Sequence, residues 1–282
     1  MVRSSPGLDL VVLAYCSGVA AMGRPLAELG YSSFVFSDAP LSDVSAPLTA
    51  AAAYILVVLV LHWSMAGRSV ETKRLQAVHN MVLCLWSLVM FVGTLYELLV
   101  RAGVEAARPD NGNLGGMRWF FCERHETSAS GPLFFWSYIY YLSKYYELFD
   151  TVLQLLKGRP PPHFFLHVYH HAAVLLMAWA WLEYRQTLQF GGLLFNTAVH
   201  VVMYYYYFRR VLGLSTPWKR FVTQFQIIQF GTSLVCFLAT LKLILIDGAD
   251  CSGTRAMAFN LVFNVTLLWQ FVGVLTKGAK SQ

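Results

Sequence analysis

Seven times along this chain, about twenty mostly apolar residues follow one another, and a helix of that length at ~1.5 Å per residue crosses the ~30 Å hydrocarbon core of a bilayer. The stretches cover roughly 45–66, 77–100, 132–157, 164–184, 188–208, 221–246 and 256–276. Turn-forming residues separate them: Gly67 with Arg68, the loop 101–131 with Asn111-Gly112 and Gly115-Gly116, the run 158–162, and Asp247-Gly248. Backbone polar groups cannot be left bare in lipid, so the chain is expected to be an all-α, polytopic membrane protein of seven transmembrane helices in one bundle. Composition agrees, with 57% hydrophobic and only 13% charged residues among 282. So few charges exclude a disordered chain and argue against an ordinary cytosolic enzyme. The expected organisation is a non-cytosolic segment 1–44, a membrane domain 45–276 and a cytosolic tail 277–282. An earlier apolar run, 8–22, is too short to cross comfortably and is expected to lie in the interface.

Lys and Arg number 21 against 15 Asp and Glu, a surplus that in a soluble chain would suggest nucleic acid. Its placement says otherwise. Alternate loops and the tail gather Arg68, Lys73, Arg74, Lys157, Arg159, Arg209, Arg210, Lys219, Arg220, Lys277 and Lys280 on one side, against the single acid Glu71. The opposite side mixes its signs. The positive-inside bias puts the first group in the cytosol with the carboxyl terminus, and explains the basic surplus without a nucleic-acid partner. Of the five cysteines, Cys122 and Cys251 fall in loops of the other side, where an oxidising lumen permits a disulfide. No CxxC pair is present to suggest a zinc ribbon.

Polar side chains that lipid should exclude are clustered in four of the spans. They are Lys144, Glu147 and Asp150; His167, His170 and His171; Asn196 and His200; Gln226 and Gln229. Within each span the spacing of three or four places them on one helical face. Measured from the cytosolic helix ends at ~1.5 Å per residue, Asp150 lies about 10 Å deep, Glu147 about 15 Å, His170 about 9 Å, His200 about 12 Å and Gln226 about 8 Å. Antiparallel helices thus deliver their polar groups to one layer, where an ionisable group is costly and marks a site. Polar zippers between helices account for a single Asn or Gln, but poorly for the whole set.

Two chemistries suit such histidines. Neutral imidazole binds iron, as in di-iron membrane desaturases and hydroxylases, but those enzymes use about eight histidines, and His62, His125 and His163 lie out of reach here. Alternatively an imidazole acts as base or as nucleophile toward an acyl group, with Glu147 or Asp150 orienting its second nitrogen and Lys144 neutralising the carboxylates. A non-enzymatic seven-span transporter explains the cluster least well.

Lys144-x-x-Glu147-Leu148-x-Asp150-Thr151, His167-x-x-His170-His171, Asn196-x-x-x-His200-x-x-Met203-Tyr204 and Thr223-x-x-Gln226-x-x-Gln229, in that order, resemble the four signature boxes of the fatty-acid elongase (ELO) family. His79-Asn80 resembles its weaker early motif, and the run from Phe165 to His171 with the tyrosines at 204–207 looks like plant-type members. The resemblance implies a condensing enzyme of the endoplasmic-reticulum membrane, a very-long-chain 3-oxoacyl-CoA synthase that joins malonyl-CoA to a long-chain acyl-CoA without a cofactor or a metal. It implies His170 as the nucleophile that carries the acyl group and His200 as the partner that binds or deprotonates. His167 and His171 would orient the site or stabilise the oxyanion, with Asn196 and Gln226 as further donors. It also implies the Cys122–Cys251 disulfide. CoA contacts would be drawn from Lys144, Lys157, Arg159, Arg209, Arg210, Lys219 and Arg220, and the acyl chain would need an apolar tunnel within the bundle. Partners expected by analogy are membrane lipid, the ketoacyl-CoA reductase and hydroxyacyl-CoA dehydratase of the cycle, and a second copy in a homodimer. The tail lacks the dilysine spacing of many relatives, so reticulum residence rests on the family alone. The Asn264-Val-Thr266 sequon lies inside the last span, beyond a glycosyltransferase's reach.

Overall fold

The apolar stretches become helices within a few residues of where length and hydropathy place them. A computed structural model describes residues 30–107, 117–158, 160–161 and 163–280. The interfacial helix expected at 8–22, the turn at Asn111-Gly112 and Arg159 of the expected CoA-contact set lie outside the described residues. The helices are α1 (Ser45–Ser64), α2 (Lys73–Ala106), the short α3 (Arg118–Phe121), α4 (Pro132–Glu147), α5 (Phe149–Leu156), α6 (Phe164–Glu183), α7 (Gln189–Leu212), α8 (Lys219–Leu245) and α9 (Thr254–Lys280). Among the described residues five helices are long and apolar enough to cross a bilayer: α1, α2, α6, α8 and α9. Helix α7 has the length, at 24 residues, but carries Asn196, His200, four consecutive tyrosines and two arginines.

The expected single helix 132–157 is divided at one residue, Leu148, whose backbone keeps right-handed helical dihedrals (φ −58°, ψ −28°). Glu147 ends α4 and Phe149 opens α5, with the Leu148 amide reaching back only to the Tyr145 carbonyl at 3.3 Å. One turn earlier the Ser143 hydroxyl donates to the Tyr140 carbonyl at 2.8 Å, the back-bonding that bends helices. The break falls between Glu147 and Asp150, in the middle of the polar box.

Helix α2 lies along α7, α4 packs against α6 and α2, and α1 covers α6 and α5, while α8 and α9 pair at the other flank. The largest apolar cluster lies between α4 and α6, where Tyr138, Tyr141, Leu175, Ala178 and Leu182 are all but inaccessible. At one end of the bundle Gly158, at φ +74°, closes α5 so tightly that a Cβ would collide with the Arg68 carbonyl, and Val70 N–H donates to the Leu156 carbonyl at 2.8 Å. That end carries Arg68, Lys73, Arg74, Lys157, Arg210, Lys219 and Arg220, all exposed.

The opposite end is tied down twice. Cys122, after α3, is disulfide-bonded to Cys251 between α8 and α9. Beside the bridge, Glu123 N–H donates to Thr187 Oγ1 at 3.0 Å, and Ser252 N–H to the Glu123 carbonyl at 2.8 Å. The second tie is a strap, residues 31–44, laid across the helix ends. Its Phe34 and Phe36 are 0% and 2% exposed. Tyr138 and Tyr141 of α4 donate to the Pro40 and Leu41 carbonyls at 2.9 and 3.0 Å, and Trp179 of α6 donates to the Ser42 carbonyl at 2.6 Å. Tyr31 Oη donates to Glu97 Oε1 on α2 at 2.5 Å. Residues without helical periodicity thereby meet their backbone hydrogen-bonding needs through side chains of the bundle. Phe36→Ala is expected to cost about 3–5 kcal/mol, the usual penalty for emptying a buried aromatic site. It should lower the thermal unfolding midpoint in detergent micelles, and a midpoint unchanged from wild type would mean the strap does not support the fold.

Candidate active site

The last turn of α4 buries both Lys144 and Glu147. Lys144 Nζ donates to Glu147 Oε1 at 2.7 Å, and the two side chains are 1% and 2% exposed. Ser143 Oγ donates to the same oxygen at 3.1 Å, and His200 Nδ1 of α7 stands 3.6 Å from it. Lys144 Nζ also lies 3.9 Å above the centre of the Tyr140 ring. Tyr140 Oη in turn donates to Asn196 Oδ1 at 2.9 Å, while Asn196 Nδ2 reaches Gln229 Oε1 on α8 at 3.5 Å. A buried ammonium and carboxylate are stable only when paired and further hydrogen-bonded, and each of these neighbours serves that need.

Helix α6 brings the three histidines to the same layer. The His167 and His171 rings lie 4.6 Å apart and those of His170 and His171 5.3 Å apart. His170 stacks on Phe263 of α9, centroids 5.7 Å apart and planes 24° from parallel, and Tyr54 of α1 flanks His171 at 6.3 Å. His170 lies within electrostatic reach of Glu147, His200 and Lys144. His167 Nε2, His170 Nδ1 and His171 Nδ1 are buried and have no hydrogen-bond partner among the described residues. An imidazole held by stacking, with a nitrogen that no protein group occupies, is suited to take a proton or an acyl carbon.

Of the two carboxylates expected to orient an imidazole, each stands beside one outside the α6 set. Glu147 meets Lys144 and His200. Asp150, on α5, is bonded to His79 Nε2 of α2 through Oδ1 at 2.9 Å and to Tyr204 Oη of α7 through Oδ2 at 2.8 Å. His79 is stacked on Tyr146 at 5.0 Å. Gln226 approaches only the Met203 sulfur, 3.5 Å away. Lys144 is enclosed with Glu147 and is separate from the basic end. There Lys157, Arg210, Lys219 and Arg220 are exposed, and Arg209 is half-buried, its guanidinium bonded to the Ser215 carbonyl at 3.1 Å. Among the described residues no group of three or more His, Cys, Asp or Glu side chains is arranged to hold a metal ion. Phe263, Tyr54 and Tyr140 had no signal in the sequence, since aromatic residues on apolar helices are ordinary packing.

The arrangement is a helical bundle that buries several histidines near an ion pair. Residues 39–280 match the ELO: GNS1/SUR4 family, and the chain belongs to that family. It is 35% identical over 223 residues to Fatty acid elongase sre1 of Dictyostelium discoideum, covering 78% of this chain and 77% of that one. Fatty acid elongase A of the same organism is 33% identical over 201 residues, 71% of this chain and 69% of its own length. Fatty acid elongase 3-like of Arabidopsis thaliana is 28% identical over 233 residues, 79% of each. Another Dictyostelium relative, 38% identical over 198 residues, is matched across 63% of its length, a little under two thirds. Membership places the chain in fatty-acid elongation, a branch of lipid biosynthesis at a membrane, with acyl-CoA and malonyl-CoA as the substrates the family implies.

Removing one member of the Lys144–Glu147 pair should leave a buried charge unmatched. Lys144→Met is expected to destabilise the protein by about 3–5 kcal/mol, and Lys144→Met with Glu147→Gln by less than Lys144→Met alone. Thermal unfolding of the two variants and wild type in one detergent checks this; a double variant less stable than the single one contradicts it.

Proposed function

We propose that the chain is the condensing enzyme of the elongation cycle, a very-long-chain 3-oxoacyl-CoA synthase acting through an acyl-imidazole. The observation that supports this reading is that His170 on α6 and His200 on α7 both lie within electrostatic reach of the buried Lys144–Glu147 pair.

In the first half-reaction a ring nitrogen of His170 attacks the thioester carbonyl, the carbon–sulfur bond breaks, and CoA leaves as the thiol with the imidazole's proton. In the second, malonyl-CoA loses carbon dioxide and its C2 carbanion forms a carbon–carbon bond to the acyl carbon. The carbon–nitrogen bond breaks and the imidazole regains a proton, so one proton is consumed per cycle. His200, held near Glu147, handles that proton. His167 and His171, each with a buried nitrogen lacking a partner among the described residues, would steady the oxyanion, with Asn196 as a further polar donor. The hydrocarbon-buried setting excludes water that would otherwise hydrolyse the adduct.

The polyanionic CoA moiety suits the exposed cations Lys157, Arg210, Lys219 and Arg220 with Arg209. The acyl chain would occupy the apolar space between the helices. Residence in the endoplasmic reticulum with the basic end and carboxyl terminus in the cytosol follows on this reading, as does work alongside the reductase and dehydratase that complete the cycle. The test uses purified protein and acyl-CoA alone. A mass increment equal to the acyl group is expected on the peptide containing His170, and release of 3-oxoacyl-CoA once malonyl-CoA is added. His170→Ala should lower kcat by about a thousandfold or more, as removal of a covalent nucleophile does. If wild type makes no 3-oxo product from the two thioesters, the reading fails.

A further inference from the structure

Three residues in the first turns of α5 are bonded to three different helices. Thr151 Oγ1 shares a 2.7 Å hydrogen bond with Tyr54 Oη of α1. Asp150 accepts from Tyr204 of α7 at 2.8 Å and meets His79 of α2 at 2.9 Å, one helix per carboxylate oxygen. One turn further on, the Leu153 carbonyl accepts from Gln76 Nε2 of α2 at 3.2 Å. Thr151 is wholly buried, His79 is 1% exposed, and the Asp150 side chain is 17% exposed. Of these groups Tyr54 also flanks His171, ring centroids 6.3 Å apart.

What they surround is the break at Leu148. Leu148 keeps right-handed helical dihedrals (φ −58°, ψ −28°), so the two segments meet at a tightened turn, and Glu147 is the last residue of the first. Its carboxylate must lie 2.7 Å from Lys144 Nζ and 3.6 Å from His200 Nδ1 to hold the chamber's charges. Three residues later, Asp150 fixes the second half to α2 and α7, and α7 is the helix that carries His200. The same carboxylate therefore ties the segment that follows Glu147 to the helix that carries His200.

We infer that Asp150 is a positioning residue: with His79, Tyr204 and the Thr151–Tyr54 pair it locks the α4–α5 break, and it acts on condensation only through the aim of Glu147 at Lys144 and His200. This rests on the condensing-enzyme reading. What the lock requires of Asp150 is two short-range polar contacts, not a charge or a transferable proton. An asparagine can supply both: its carbonyl accepts from Tyr204 and its amide donates to a neutral His79.

Steady-state condensation in proteoliposomes separates this role from direct acid–base work. Asp150→Asn is expected to lower kcat by no more than about fivefold and Asp150→Ala by about a hundredfold, with KM for malonyl-CoA unchanged in both. Because Asp150 acts through Glu147, the variant Glu147→Gln/Asp150→Ala should match Glu147→Gln alone to within about threefold. Tyr204→Phe, which removes one contact, should lower kcat by about tenfold and likewise add little to Glu147→Gln; should Asp150→Ala not fold, Tyr204→Phe and Asp150→Asn carry the same test. A kcat for Asp150→Asn as low as for Glu147→Gln, or losses that multiply in the double variants, would overturn the inference. Absence of 3-oxo product from wild type would instead strike the condensing-enzyme reading on which it stands.

Discussion

An ammonium and a carboxylate buried in hydrocarbon depth can persist only together, and much of this bundle is organised around that condition. Separated, each would cost several kcal/mol to keep out of water; in contact, with their remaining hydrogen-bonding capacity met, they become tolerable. Ser143 and His200 approach the Glu147 oxygen, and the Tyr140 ring and Asn196 approach Lys144. The carriers of these groups, α4 and α7, are held side by side by the requirement, and α6 with its histidines packs against α4.

The polar layer also explains why the third stretch bends. A straight helix over 132–157 would present Glu147 and Asp150 nearly on one face, in competition for the same partners. Across the tightened turn at Leu148, one carboxylate meets Lys144 and His200 and the other His79 and Tyr204. Two acids three residues apart thereby serve separate networks without sharing a donor.

The helices were legible because their signal is additive: twenty apolar residues in a row leave little choice in lipid. The partners of Lys144, Glu147, Asn196 and His200 were legible as a set because helical spacing and depth both restrict them. Their pairing was not. Which carboxylate meets which histidine depends on a break that hydropathy passes through without change, since Leu148 and Phe149 are as apolar as their neighbours. His79 carried too little signal by itself for its link to Asp150 to be foreseen. Phe263 and Tyr54, which fix the planes and flanks of the histidines, look in sequence like any other aromatic residue in a span. The strap was illegible for another reason: residues 31–44 have no period, and their order comes from Tyr138, Tyr141 and Trp179 reaching out to their carbonyls.

That strap makes the two ends of the molecule unequal. Phe34 and Phe36 are sunk among the helix ends on one side, while the other side offers exposed cations and open turns. On the condensing-enzyme reading the protein is a cul-de-sac: a greasy tail must be threaded in first and backed out last, and its water-loving handle never leaves the compartment from which it came.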